Sequence, residues 1–134
     1  MGSSMVLFCD GASRGNPGPG AYGFVLYNNN LVVFEEGQKL GSVTNNTAEY
    51  QGLIKGLEAA LKHGATELLI KSDSELMVRQ LNGIYKVKTP HIKTLFDTAR
   101  GLLQKFNSTK IEHIRREENT RADKLCNQAL DGEI

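Results

Sequence analysis

From Asn46 to His63 the apolar residues Tyr50, Leu53, Ile54, Leu57 and Leu61 recur at the three-and-four spacing of a helix with one buried face. Gly64 supplies a residue suited to ending that helix, and Thr66 to Lys71 then reads as a strand that stops at Ser72-Asp73. A further strand opens the chain, because Val6 to Asp10 is densely apolar and halts at an acid followed by glycine. A strand, helix, strand succession implies a parallel crossover, so the chain must build a sheet with a helix across its face.

The remaining elements fit around that unit. Tyr22 to Tyr27 and Leu31 to Lys39 read as strands joined by Asn28-Asn29-Asn30, residues that tolerate the left-handed conformations of a tight hairpin. With the first strand they make an antiparallel meander. Gly11 to Gly20 holds so much Gly and Pro that it is expected to be a rigid loop outside any ladder. Thr44, Asn45 or Asn46 caps the first helix, with Glu49 expected in its first turn. Ser74 to Leu81 is a short helix closed by Asn82-Gly83, Tyr85 to Pro90 a basic loop, and His91 to about Phe106 another helix. Lys110 to Ile114 is the last strand. Asn119 to Leu130 is the last helix, with Ala122, Leu125, Cys126, Ala129 and Leu130 as its stripe and Asn119 or Thr120 as its cap. The order β-β-β-α-β-α-α-β-α places the chain in the α/β class, a mixed sheet of five strands flanked by helices.

The 134 residues suffice for one domain, expected over residues 5 to 134, with Met1 to Ser4 read as an added leader before a natural start at Met5. No apolar run approaches the roughly 18 residues needed to span a bilayer, and no basic-then-apolar secretory signal opens the chain. A cytoplasmic location is expected, or a nuclear or organellar one for a piece of a longer precursor. Cys9 and Cys126 stand far apart and read as buried thiols, and His63, His91 and His113 lack the spacing of a metal cage and read as surface or rim residues. Gly18 to Gly23 matches G-x-G-x-x-G, but that fingerprint must open a helix, whereas here it leads into a strand and Pro19 removes an amide.

The formal charge of +1 conceals an uneven distribution. Between Arg79 and Arg121 ten Lys or Arg face four acids, Asp97, Glu112, Glu117 and Glu118. Such a surplus is either a solvated face or a phosphate-binding surface. The acids outside it are placed more tellingly. Asp10 ends the first strand, Asp73 follows the fourth, Glu49 lies early in the first helix and Asp123 early in the last. In open α/β sheets the crevice at the carboxyl ends of the strands is the usual site, and four carboxylates gathered there would require a cation. A hard divalent ion such as Mg²⁺ takes carboxylate, water and phosphate oxygens, which points to phosphodiester chemistry with two ions about 3.5 to 4 Å apart. Acids favoured near helix N-termini by the macrodipole give a second account of Glu49, Asp73 and Asp123. Spacing alone leaves both open.

Four segments resemble type 1 ribonuclease H, the nucleases that cut the RNA strand of RNA/DNA hybrids: Asp10 to Gly20, Thr44 to Glu49, Ser72 to Glu75 and Arg116 to Asp123. The resemblance extends from Met5 to about Leu130 and implies the ribonuclease-H-like fold. It implies that Asp10, Glu49, Asp73 and Asp123 bind two Mg²⁺ ions, with Mn²⁺ as a substitute, and that cleavage leaves a 5′-phosphate and a 3′-hydroxyl. It further implies that Gly11 and Asn16 meet RNA 2′-hydroxyls, that Thr44 meets a DNA phosphate, and that Asn45 and Asn46 enter the minor groove. For Asn45 and Asn46 a capping role is the alternative, and at least one of them is expected to cap. Lys86 and Lys88 fall where the family contacts the DNA backbone, with a solvated loop as the alternative.

The chain departs from the family in lacking the flexible-loop His before the last acid. Its stretch there is the short Arg115-Arg116-Glu117-Glu118-Asn119, so any auxiliary role falls to Arg115 or Arg116 rather than to His113, which is placed inside the last strand. It also lacks an extended basic protrusion and a hybrid-binding module. The expected protein is a monomer acting on RNA/DNA hybrid and not on membranes. Its alternatives are a relaxed nuclease that also cuts double-stranded RNA, and a domain that binds nucleic acid or protein without cutting.

Overall fold

The computed structural model describes residues 2–134. Its strands are β1 (Ser3–Ser13), β2 (Gly18–Asn28), β3 (Leu31–Val43), β4 (Ala65–Ser72) and β5 (Ser108–His113). Its helices are α1 (Asn45–Lys62), α2 (Glu75–Leu81), α3 (Pro90–Leu103) and α4 (Thr120–Leu130), with one 3-10 turn at Arg116–Glu118. The sheet order is β3-β2-β1-β4-β5. β1 runs antiparallel to β2 and parallel to β4, and β4 runs parallel to β5, so the mixed five-stranded sheet and its crossover are as the sequence implies.

Alternation places the core. Leu7 and Cys9 of β1 and Leu68 and Ile70 of β4 point to the α1 face, where Tyr50, Leu53 and Leu57 meet them. The Tyr50 hydroxyl donates to Gln80 Oε1 at 2.8 Å inside this layer, which satisfies the polar end of a buried ring. α4 lies on the opposite face over β2 and β3, through the small residues Ala122, Cys126 and Ala129. Both thiols are buried, as expected. Asn29 and Asn30 carry the positive φ values, 53° and 66°, that the hairpin requires.

Several boundaries differ from the sequence reading, and each difference has a cause. The expected loop from Gly11 to Gly20 is mostly ladder: Gly11, Ala12 and Ser13 pair with Tyr22, Ala21 and Gly20, leaving only Arg14 to Pro17 outside. Pro19 is tolerated opposite Ser42 because the register shifts beside it, and its carbonyl accepts Arg14 N–H at 2.8 Å. Ser3 and Ser4, ahead of the expected start, pair with Ala65 and Glu67. Thr44 alone caps α1, its hydroxyl accepting Thr47 N–H at 3.2 Å, so neither Asn45 nor Asn46 caps. α3 ends at Leu103, and β5 starts at Ser108 and ends on the exposed His113. Among the described residues no helix is long and apolar enough to cross a membrane.

Candidate active site

The parallel register of β1 and β4 sets Cys9 beside Ser72, so the next residues, Asp10 and Asp73, emerge together at the same edge of the sheet. α1 reaches that edge because Gly11 has no side chain: a Cβ there would lie 2.3 Å from the Ala48 carbonyl oxygen. Glu49 follows Ala48 and accepts a hydrogen bond from the Ser74 hydroxyl, which also caps α2 by accepting Met77 N–H at 3.2 Å. α4 comes in on the other side, where a Cβ on Gly23 would lie 2.4 Å from the Ala122 carbonyl oxygen. The next residue of α4 is Asp123. All four acids are half-buried.

Their electrostatics show that they share one site. Burial pushes the Asp10 carboxyl well above the usual carboxylate range, the Asp73 charge and the hydrogen bond and charge of Asp123 raise it further, and the Gly11 N–H opposes them. Burial likewise pushes Glu49 up to about 7, with the Ser74 hydrogen bond acting against it and the Asp73 charge with it. Among the described residues the one cation paired with the cluster is the exposed Arg116, 3.7 Å from Asp123 Oδ1. Asn127 Nδ2 donates to the other oxygen of Asp123 at 3.3 Å.

The helix-dipole account of these acids does not survive. Glu49 is the fifth residue of α1, whose first turn contains no acid, contrary to the expectation that it lies in that turn. Asp73 precedes the Ser74 cap and lies outside α2. Only Asp123 sits in a first turn.

The donor set is carboxylate oxygen throughout, which suits a hard divalent ion. Among the described residues no three His, Cys, Asp or Glu side chains already converge into a cage.

The other residues singled out in the sequence divide into groups. Asn16 and Asn45 are brought together: Asn16 Oδ1 accepts Asn45 N–H at 3.0 Å, and Asn45 Oδ1 accepts Ser13 N–H at 2.8 Å. The four-residue loop is thereby tied to the start of α1, beside the buried Gly11. Asn46 Oδ1 is buried without a partner, and Thr44 is exposed at the helix start. Lys86 and Lys88 are exposed between α2 and α3 and make no ion pair among the described residues. Of the two arginines the structure brings only Arg116 to the acids, because Arg115 is engaged by Glu117 at 3.7 Å and Glu118 at 3.5 Å.

Two residues went unread in the sequence. Ser74 looks like a helix cap and is one, and nothing in its spacing reveals the second bond to Glu49. Asn119 occupies the position before α4 where a cap is expected, yet its side chain makes no capping bond. It donates instead to Cys9 O at 2.9 Å and Asp73 Oδ1 at 3.2 Å. An open groove of about 600 Å³ is lined by Phe8, Tyr27, Lys71, Asn119 and Arg121 and by none of the four acids.

Comparison with known proteins bears on this arrangement. The family profile described as reverse transcriptase-like matches residues 8–129. The bifunctional protein Rv2228c of Mycobacterium tuberculosis is 45% identical over 129 residues, which cover 95% of this chain and 35% of that protein. Ribonuclease HI of Halobacterium salinarum is 43% identical, over 97% of this chain and 66% of its own length. The chain therefore spans about a third of the mycobacterial relative. The N-terminal ribonuclease H domain of Rv2228c, solved as a fusion with maltose-binding protein, superposes with a TM-score of 0.95 at 44% identity, covering 97% of this chain and 95% of that one. LC11 ribonuclease H1, solved in complex with an RNA/DNA hybrid, gives 0.91 at 37% identity over 96% and 98% of the two chains.

Proposed function

Since this chain belongs to the type 1 ribonuclease H family, we propose that it hydrolyses the RNA strand of RNA/DNA hybrids, leaving 5′-phosphate and 3′-hydroxyl ends. The observation that carries the reading is the gathering of Asp10, Glu49, Asp73 and Asp123 at one sheet edge, where Asp10 and Glu49 are pushed toward their neutral forms. A set of acids so poorly compensated by the protein's own cations is costly to a fold that does not use it. The hybrid bound to LC11 ribonuclease H1 supports the same substrate class here.

Asp10, Glu49, Asp73 and Asp123 would hold two Mg²⁺ ions in the presence of substrate, or Mn²⁺ in their place. When bound, these ions lower the cost of deprotonating the attacking water and of building charge on the leaving oxygen. The rest of the task falls to the chain itself. Asn16 and Asn45, joined between the loop and the start of α1, would with Asn46 and the Gly11 backbone meet the 2′-hydroxyls and base edges displayed in a wide minor groove. Thr44 at the start of α1 and the unpaired Lys86 and Lys88 supply phosphate contacts to the DNA strand. Arg116 sits within reach of Asp123 and is the better placed of the two arginines to steady the reacting phosphate. The unit acts as a monomer.

The test is cleavage of matched labelled duplexes, RNA/DNA, RNA/RNA and DNA/DNA, with Mg²⁺, Mn²⁺ or chelator. Metal-dependent cutting confined to the hybrid is the expected outcome. Cutting of RNA/RNA as well assigns the broader specificity, and failure to cut any duplex rejects the enzymatic reading.

A further inference from the structure

Asn119 is 1% exposed. Its side-chain nitrogen lies between two acceptors, Cys9 O and Asp73 Oδ1, which fixes that end as the NH₂ group and uses both of its protons. Its Oδ1 is consequently buried and accepts nothing. The backbone of Asn119 still opens the helix, its carbonyl accepting Asp123 N–H at 3.0 Å. An Asn in this position ordinarily turns its side-chain oxygen to the helix N–H groups, a bond worth about 1 kcal/mol. Here that bond is forgone and an oxygen is orphaned, two costs with one return: a single amide joins Cys9 of β1, the residue after β4 and the start of α4. These three segments carry Asp10, Asp73 and Asp123.

We propose that Asn119 is a positioning residue of the hydrolytic site, its amide clamping the Asp73 carboxylate to Cys9 of β1 and so presetting the spacing of Asp10, Asp73 and Asp123 at which divalent cations are taken up. Asp73 faces like charge from Asp10 and Glu49, and repulsion favours its rotation away from them. The clamp opposes that rotation before any cation arrives. Cation uptake then spends none of its affinity on drawing the carboxylate back, as for other partners that orient metal ligands from behind. The kinetic part of the proposal rests on the nuclease reading, whereas the binding part does not.

The test compares the full chain with Asn119→Ala and Asn119→Asp. Aspartate keeps the shape and is a good helix cap, so a residue serving only the helix would be replaced by it without loss. Ionised it donates to neither Cys9 O nor Asp73, and protonated it has a single O–H for the two acceptors. At saturating Mg²⁺ both variants are expected to lose about 10- to 100-fold in kcat on hybrid, with KM unchanged within about twofold. Without substrate, calorimetric titration of Asn119→Ala with Mg²⁺ is expected to show about tenfold weaker binding. A third measurement requires no variant: in the metal-free wild type the Asn119 side-chain amide protons should exchange slowly and shift on addition of Mg²⁺. Wild-type turnover in Asn119→Asp, wild-type Mg²⁺ affinity in Asn119→Ala, or amide protons exchanging as fast as exposed ones would each overturn the proposal. If the wild type cuts no duplex, the nuclease reading falls, and the calorimetric and exchange measurements still decide the clamp.

Discussion

Gly11 and Ala48 touch backbone to backbone, with room for hydrogen alone: a methyl group on Gly11 would stand 2.3 Å from the Ala48 carbonyl oxygen and 2.5 Å from Glu49 N. This contact sets the separation of Asp10, one residue before it, from Glu49, one residue after Ala48. Gly11→Ala has only backbone to push against, so α1 must shift away from β1. We expect a loss of about 1 to 3 kcal/mol in thermal or denaturant unfolding, together with loss of most hybrid cleavage. Wild-type stability and activity in this variant would show that the contact is looser than described.

Asp10→Asn removes one charge from the cluster at nearly constant shape. Cleavage should be abolished, while Tm measured in chelator at pH 8 should rise by a few degrees because a desolvated, repelled carboxylate has been neutralised. Turnover surviving the substitution would remove Asp10 from the site.

The metal-free protein should lose stability as pH rises. Glu49 has a folded-state value of about 7 against an ordinary 4.5, and Asp10 is raised as well. A carboxyl raised in this way contributes its full stability below the unfolded value and loses it as pH climbs through the folded one. For Glu49 the window runs from about pH 4.5 to 7, and the loss is on the order of 3 kcal/mol. Saturating Mg²⁺, which favours the charged forms, should flatten the curve. Unfolding midpoints in chelator and in Mg²⁺ across this range decide the matter, and a midpoint that climbs with pH in chelator would contradict it.

Lys86→Ala and Lys88→Ala should weaken hybrid binding with little change in kcat. Each removes one cation from a loop proposed to meet phosphate, so the slope of log affinity against log salt should fall by about 1 per lysine. An unchanged slope would return both residues to the solvated-loop reading.

The sequence made the sheet legible because the stripe Tyr50, Leu53, Ile54 and Leu57 and the short apolar strands depend on local pattern. It misread Gly11 to Gly20 because composition records what Gly and Pro disfavour, not that a register shift can seat Pro19 in a ladder. The four acids were singled out as strand-end and helix-start positions, although Asp10 lies inside β1 and Glu49 beyond the first turn of α1; the β1 and β4 register brings Asp10 and Asp73 together, and α1 and α4 add the other two. Asn119 was hidden for a different reason. Its partners, Cys9 and Asp73, are 110 and 46 residues away, and locally it looks like any helix cap.

The placement of β1 between β2 and β4 bears on how activity arises during folding. The β1 and β2 hairpin is closed by neighbours in sequence, whereas β1 and β4 pair across some 60 residues and α4 joins later still. A chain with only its hairpin formed holds Asp10 but lacks Glu49, Asp73 and Asp123 beside it. The four-acid cluster is thus complete only when the contacts most distant in sequence have closed.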